Sequence, residues 1–536
     1  MHARRTLLLA LFALAPAAVP ARALSPYLVE DIDSTFRSGS SFPDRFVRVG
    51  QRVVFTATTP GRGLWSTDGT AGGTVPLLRN QAGGIETVAA TGELLFAVAC
   101  NGHRCQLEAT DGTLPGTRAL IGMPGSFVRA AAVAGPRRIF FTRADAATGE
   151  ELWTSDGTVP GTRRVKDLKP GPQGSSPRGL TWLRDRLFFF ALDGLWTSDG
   201  STAGTRRIAA LGADPTGLGP VAGGAGTRIL FFAPKAGGTD FRLWSSDGTA
   251  GGTTTLGSIA VPAELRTLLA PFATAGANAF FFLPDEQSYR LFVSDGTAAR
   301  TKSVASFERA SVNPQMVVAG PRVGFVATDA AHGQELWASD GRPAGTGALD
   351  ICPGTCSGYR GFLSDPFADG AGKVWFSGQA AAEGAELWIS DLTRPGTREV
   401  EDLAPGFFSS DPHDFLAVDR RVFFVTGVSH DDEAVWVSDG RAAGTRRLAG
   451  PAGADRFLNV GFGAALAGRA VFRLDDGVHG AEPWISSGTV AGTALVADLE
   501  PAQLGGSRPQ ALTRVGDRCF FFTTLPDVEE AHELWV

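Results

Sequence analysis

The feature that most limits what this chain can fold into is a repeated segment, seen in full at residues 151–162 as Glu-Leu-Trp-Thr-Ser-Asp-Gly-Thr-Val-Pro-Gly-Thr. Its skeleton returns at Leu64-Trp65, Leu195-Trp196, Leu243-Trp244, Leu336-Trp337, Leu387-Trp388, Val435-Trp436, Pro483-Trp484 and Leu534-Trp535. Two further copies, Leu107-Glu108 and Leu291-Phe292, lack the tryptophan. The aspartates that follow are spaced from 43 residues (Asp68 to Asp111) to 51 residues (Asp340 to Asp391), and Ser487 replaces one of them. A fixed period of that length marks a repeat architecture, in which a unit cannot hide its apolar faces alone.

Within each period the sequence predicts four short strands. In the third copy these are Ser126 to Val133, Ile139-Phe140-Phe141, a strand beginning at Leu152-Trp153, and Thr162 to Leu168. The second strand is the most regular, as in Val53-Val54-Phe55, Leu187 to Phe190, Leu230-Phe231-Phe232, Phe280-Phe281-Phe282 and Val422-Phe423-Phe424. Runs rich in β-branched and aromatic residues between turn formers read as strands. They do not alternate apolar with polar, so both faces must be buried. No long window has helical periodicity, which excludes helical solenoids. Four strands per unit with both faces covered predict an all-β fold, a β-propeller of about eleven blades.

The termini suggest how such a ring closes. Tyr27-Leu28-Val29-Glu30-Asp31-Ile32 matches the fourth-strand sequences Arg164 to Leu168 and Glu399 to Leu403, whereas the chain ends on a third strand at Glu533-Leu534-Trp535-Val536. The N-terminal strand can therefore complete the last unit and remove the open edge. Ordinary propellers have about 4–8 blades. One ring of eleven is nevertheless preferred to two tandem rings, because no linker of distinct composition interrupts the repeat.

Strand alternation sends Leu152 and Trp153 to opposite faces, each toward a neighbouring blade. Asp156-Gly157 marks the following turn, with Gly157 free to take a positive φ and the Asp156 carboxylate placed to accept amides further on. Gly161 is read as the restart of the chain into the fourth strand. A residue type repeated for one task in nearly every unit is a building part rather than a catalyst.

Export is expected. His2, Arg4 and Arg5 precede the apolar run Leu7 to Ala18, and Ala21-Arg22-Ala23 supplies small residues for cleavage, so residues 1–23 read as a signal peptide and 24–536 as the repeat region. The apolar run is too short for a membrane span. In an oxidising compartment Cys100 with Cys105, and Cys352 with Cys356, can each close a small disulfide loop, while Cys519 in an apolar run reads as a buried thiol. Neither pair has further ligands at zinc spacing. The net charge of −6 and the lack of a basic run exclude nucleic acid and anionic membrane surfaces as expected partners.

The search for chemistry finds no phosphate loop, zinc-binding His-Glu pair or nucleophile elbow. His332, His430, His479 and His532 fall shortly before third strands and read as polar turn residues rather than ligands. The acidic clusters His430-Asp431-Asp432-Glu433 and Asp527-Val528-Glu529-Glu530 lack the spaced pattern of a calcium loop and read as solvated loops. No catalytic, cofactor-binding or metal residue is nominated, and no cofactor is expected.

The repeated segment resembles the ELWxxDGT repeat proteins, a family of exported and surface-associated bacterial proteins. Glu151-Leu152-Trp153, Glu335-Leu336-Trp337 and Glu386-Leu387-Trp388 are the nearest copies, and Leu392 in place of Gly and Ser487 in place of Asp depart from the pattern. The resemblance implies a propeller-like repeat and export, and no established activity. Asp145 to Trp153 is also similar to the tryptophan-docking motif of quinoprotein propellers, with Asp329 to Trp337 and Asp476 to Trp484 at the same spacing. That motif locks blades together, so it too implies structure.

The expected function is a non-catalytic binding or interaction scaffold for a protein or glycan at the cell surface, periplasmic or outside. Recognition would fall to irregular loops such as Thr59-Pro60-Gly61-Arg62 and the one between Cys100 and Cys105. The alternatives are an enzyme acting on extracellular polysaccharide at the ring axis and a purely structural surface protein.

Overall fold

A computed structural model describes residues 44–536 other than 58–62, 80, 125–127, 184, 213–220, 223–227, 237–240, 262–271, 361–364, 382, 428–432, 450–459, 500–505 and 526–530. The candidate signal segment, Tyr27 to Ile32 and the Thr59–Arg62 loop lie outside the described residues.

The chain is an all-β propeller of eleven antiparallel blades in one ring. Blades 1–11 span 44–78, 84–123, 131–164, 178–210, 221–261, 273–308, 317–348, 367–401, 413–449, 461–495 and 510–535. Ten are four-stranded meanders, and the eleventh has three strands among the described residues. First strands of successive blades approach one another, which places them around the axis and the fourth strands at the rim.

The second strands are buried on both faces, as their unbroken apolar runs require. Phe55, Phe140, Phe189, Phe231, Phe281 and Phe376 are almost wholly inaccessible. Each such side chain contributes about 1.5–3 kcal/mol by leaving water. The apolar side chains sort into eleven clusters, one at each joint between neighbouring blades. Leu152 joins Phe189 and Leu187 of blade 4, whereas Trp153 joins Phe96 and Leu107 of blade 2. The same division holds for Leu195 and Trp196, and for Leu387 and Trp388. Blades that carry the Leu-Trp pair in these joints thus give the leucine forward and the tryptophan backward.

One of these clusters closes the ring. Val53, Phe55 and Trp65 of blade 1 pack with Val515, Phe520 and Leu534 of blade 11. The Phe46 and Phe522 rings lie 6.3 Å apart, and Arg518 Nη1 donates to the Asp68 carbonyl at 2.6 Å. Two tandem rings are thereby excluded.

The fourth strand of blade 3 is shorter than the sequence implies. In blade 3 only Arg163–Arg164 pair as a strand, where Thr162 to Leu168 was expected, and the first strand is limited to Ala131–Val133. Beyond Val165, whose amide donates to the Leu152 carbonyl, the chain leaves the sheet because the buried Glu151 carboxylate takes the Leu168 and Lys169 amides.

Candidate interaction face

An antiparallel meander sends its first–second and third–fourth turns to one end of the blade. Its second–third turn and the linker to the next blade emerge at the other. The ring therefore has a turn face and a linker face, and they differ in kind.

On the turn face the repeated motif builds one hydrogen-bonded unit. In blade 3 the Asp156 carboxylate accepts from the Thr158 amide at 2.9 Å and its hydroxyl at 2.7 Å. The Ser155 hydroxyl meets that of Thr162 at 2.7 Å and accepts from the Gly157 amide at 3.1 Å. Gly157 has φ 84°, the left-handed region expected of it. Gly161 has a steric role beyond the restart assigned to it, since a Cβ there would stand 1.9 Å from an Asp156 carboxylate oxygen. The hydroxyl pair recurs at a separation of seven in ten blades, from Thr67 with Thr74 to Ser486 with Thr493. Ser487 keeps the turn by setting its hydroxyl 3.2 Å from that of Thr489.

The linker face is varied. Its linkers range from residues 79–83 between blades 1 and 2 to 349–366 between blades 7 and 8. Among the described residues four are fastened by buried glutamates. Glu151 accepts the Ser175 hydroxyl at 2.6 Å, Glu386 that of Ser410 at 2.6 Å and Glu482 that of Ser507 at 2.5 Å. Glu335 accepts the Ile351 and Cys352 amides at 3.1 and 2.9 Å. Burial pushes the Glu151 carboxyl above its ordinary value against the pull of the Ser175 hydroxyl. Sequence reasoning missed this clamp. The signal available was a serine 24 or 25 residues after the glutamate in three of the four copies.

Both cysteine pairs expected to form disulfides are bonded, Cys100 with Cys105 in the blade 2 hairpin and Cys352 with Cys356 in the linker after blade 7. Both lie on the linker face. Cys519 is a buried free thiol, which burial pushes up to about 12. The motif similar to tryptophan docking is a turn cap. Asp145 accepts the Ala147 and Thr148 amides, and His332 and His479 set Nδ1 3.0 and 2.7 Å from Asp329 and Asp476. These histidines are turn residues, as read from sequence. His430 and the cluster 527–530 lie outside the described residues.

Two adjacent phenylalanines are exposed on the linker face, where Val478 is exposed singly. Phe407 and Phe408, in the linker from blade 8 to blade 9, are 88% and 77% exposed. Their loop is held firmly. Gly384 N donates to Gly406 O at 3.1 Å, Ala385 N to Ser409 Oγ at 2.9 Å, and Ser410 is clamped by Glu386.

Around the axis the first strands expose Arg45, Arg48, Glu86, Asp414, Gln510 and Arg514, a mixture of both signs. Among the described residues no group of three His, Cys, Asp or Glu is arranged to hold a metal ion. A cavity of about 130 Å³ against blade 7, lined by Asn313, Met316, Phe325 and Asp365 from that blade and the linkers flanking it, is smaller than usual small-molecule sites of about 300–1,000 Å³. No helix among the described residues is long and apolar enough to cross a membrane.

No protein-family model matches the chain, and no curated protein does. Among solved structures it is similar to the β-propeller domain of the Trilobed protease from Pyrococcus furiosus, at 13% identity and TM-score 0.28, covering 57% of this chain and 97% of that one. It is likewise similar to a eukaryotic initiation factor, at 10% identity and TM-score 0.41, covering 72% and 93%. Against the tricorn protease the identity is 12% and the TM-score 0.28, and the match covers 90% of this chain but only 55% of that one. The chain thus spans about half the length of that protein, and these likenesses bear on fold alone.

Proposed function

We propose that this chain is an exported member of the ELWxxDGT repeat proteins, processed near Leu24, that binds a protein or glycan at the cell surface. The observation that carries the reading is the contrast between its two faces. Ten copies of one turn fix the turn face, whereas the linker face combines loops of unequal length, two disulfides and a rigidly mounted pair of exposed phenylalanines. A rigid ring that varies its loops on one side is a platform for recognition.

The test is a glycan array and a surface-extract binding assay with the mature protein, followed by a cleavage assay on every polymer bound. Binding without cleavage supports a scaffold. Depolymerisation of a bound glycan replaces it with an enzyme. Secreted protein whose first residue is Leu24 supports export, and retention of residues 1–23 overturns it.

A further inference from the structure

Exposed phenylalanine is costly. Two adjacent rings at 88% and 77% exposure leave roughly 300 Å² of apolar surface in water, on the basis that each aromatic side chain buries about 150–250 Å² when covered. Single exposed apolar residues need no explanation. On the turn face Leu114, Val159 and Val490 are such cases, each alone at the outer corner of a separate turn. Phe407 and Phe408 are paired, and the backbone that presents them is pinned at three points to the blade 8 hairpin.

The ground beside them is acidic. Gly384 abuts the Phe408 carbonyl, which sets the neighbouring Glu383 against this loop. Burial, together with the neighbouring Glu383 carboxyl, raises the Glu399 carboxyl to about 7. Glu386 and Asp402 add to the same field. Two guanidiniums of this region hydrogen-bond uncharged oxygens, Arg398 the carbonyls of Gly440 and Glu399 and Arg360 the side chain of Gln379. Phenylalanine has a negative ring face and no polar atom to hydrogen-bond a sugar, so it complements a cation better than a hydroxyl.

We infer that Phe407, Phe408 and the Glu383–Glu399 pair form a docking site for a basic segment of a partner protein, one that presents Arg or Lys beside apolar side chains. The inference rests on the scaffold reading and narrows it to one corner of the linker face. The carboxylates would receive the cationic heads, and the rings would cover their stems and take cation–π contact, a recognition mode that favours arginine.

The mature protein is titrated into a fluorescein-labelled peptide of alternating Arg, Gly and Leu, with a Glu-for-Arg peptide as control, at physiological salt. Saturable binding of the Arg peptide alone is expected. F407S/F408S and E383Q/E399Q should each weaken it at least tenfold, while L114S/V159S on the opposite face should leave it unchanged. Equal binding of the Glu peptide overturns the inference, as does unchanged affinity in F407S/F408S. Recruitment of the protein to phosphatidylcholine vesicles that is lost in F407S/F408S overturns it in favour of a lipid surface. Near-wild-type melting of the variants secures the comparison. If a natural partner or glycan is captured equally by wild type and F407S/F408S, this site fails while the scaffold reading stands.

Discussion

Leu392 and Gly324 are matched across the joint between blades 7 and 8: a Cβ on Gly324 would come within 2.7 Å of Leu392 Cδ2. Elsewhere the bulk is on the other side. The Phe140 ring would lie 3.2 Å from a Cβ on Gly200, and Phe188 makes the same approach to Gly248 at 3.1 Å. In those joints an aromatic ring of one blade covers the turn glycine of the next. At this joint the second strand carries glycine instead, and the turn carries a leucine that is wholly buried at φ 61°. The departure from the repeat is therefore a paired exchange of volume.

That exchange can be measured. Leu392→Gly relieves a left-handed conformation worth about 1–2 kcal/mol but removes a buried leucine worth about 2–5 kcal/mol, so a net loss of up to about 4 kcal/mol is expected. Gly324→Phe alone overpacks the joint. Thermal melts of the double variant should recover at least about 1 kcal/mol relative to the sum of the singles. Simple additivity would show that the two positions do not share the space.

Trp153 tests the joint between blades 2 and 3. Its ring lies 6.5 Å from that of Phe141, and the Arg143 guanidinium covers it at 4.7 Å. Trp153→Ala should cost about 3–5 kcal/mol, read as a marked fall in melting temperature. An unchanged melt would remove interblade packing as the source of cohesion.

The division of Leu152 and Trp153 between two joints was legible from strand alternation, and so was the Asp156–Gly157 turn. What stayed hidden depended on contacts at a distance. The need for glycine at 161 comes from the Asp156 carboxylate folding back over it, and the fate of the linker after Val165 comes from a glutamate on another strand. Period and polarity carry neither. Period and polarity do not single out Phe407 and Phe408 either, and only the fold shows that they face water.

The turn aspartates are expected to weaken the fold in acid. Partial burial works to raise the Asp156 carboxyl, yet the Thr158 hydroxyl and amide outweigh it and hold it below its usual value. Asp199 is held down chiefly by the Ser201 hydroxyl and amide. A carboxyl depressed in the folded state gives stability that is present above its unfolded value of 3.8 and is lost as pH falls through the folded one. Chemical denaturation followed by tryptophan fluorescence should therefore show a falling midpoint below pH 4. Asp156→Asn, which keeps an acceptor but cannot ionise, should reduce that slope.

Glu108 has the opposite sign. It stands where other blades carry tryptophan, 7% exposed, between Ala97 and Ala119 on the neighbouring strands, and burial raises its carboxyl to about 7. The unfolded chain ionises it from about 4.5, so between those values the folded state holds the proton more tightly and stability falls as pH rises. Glu108→Gln removes the charge at every pH. It should match wild type near pH 4 and exceed it at pH 8 by on the order of 1–3 kcal/mol, with the difference growing between. Denaturation midpoints at half-unit pH steps make the comparison. A pH-independent difference would mean that the carboxyl ionises freely in the folded ring, and that the joint between blades 1 and 2 accommodates its charge.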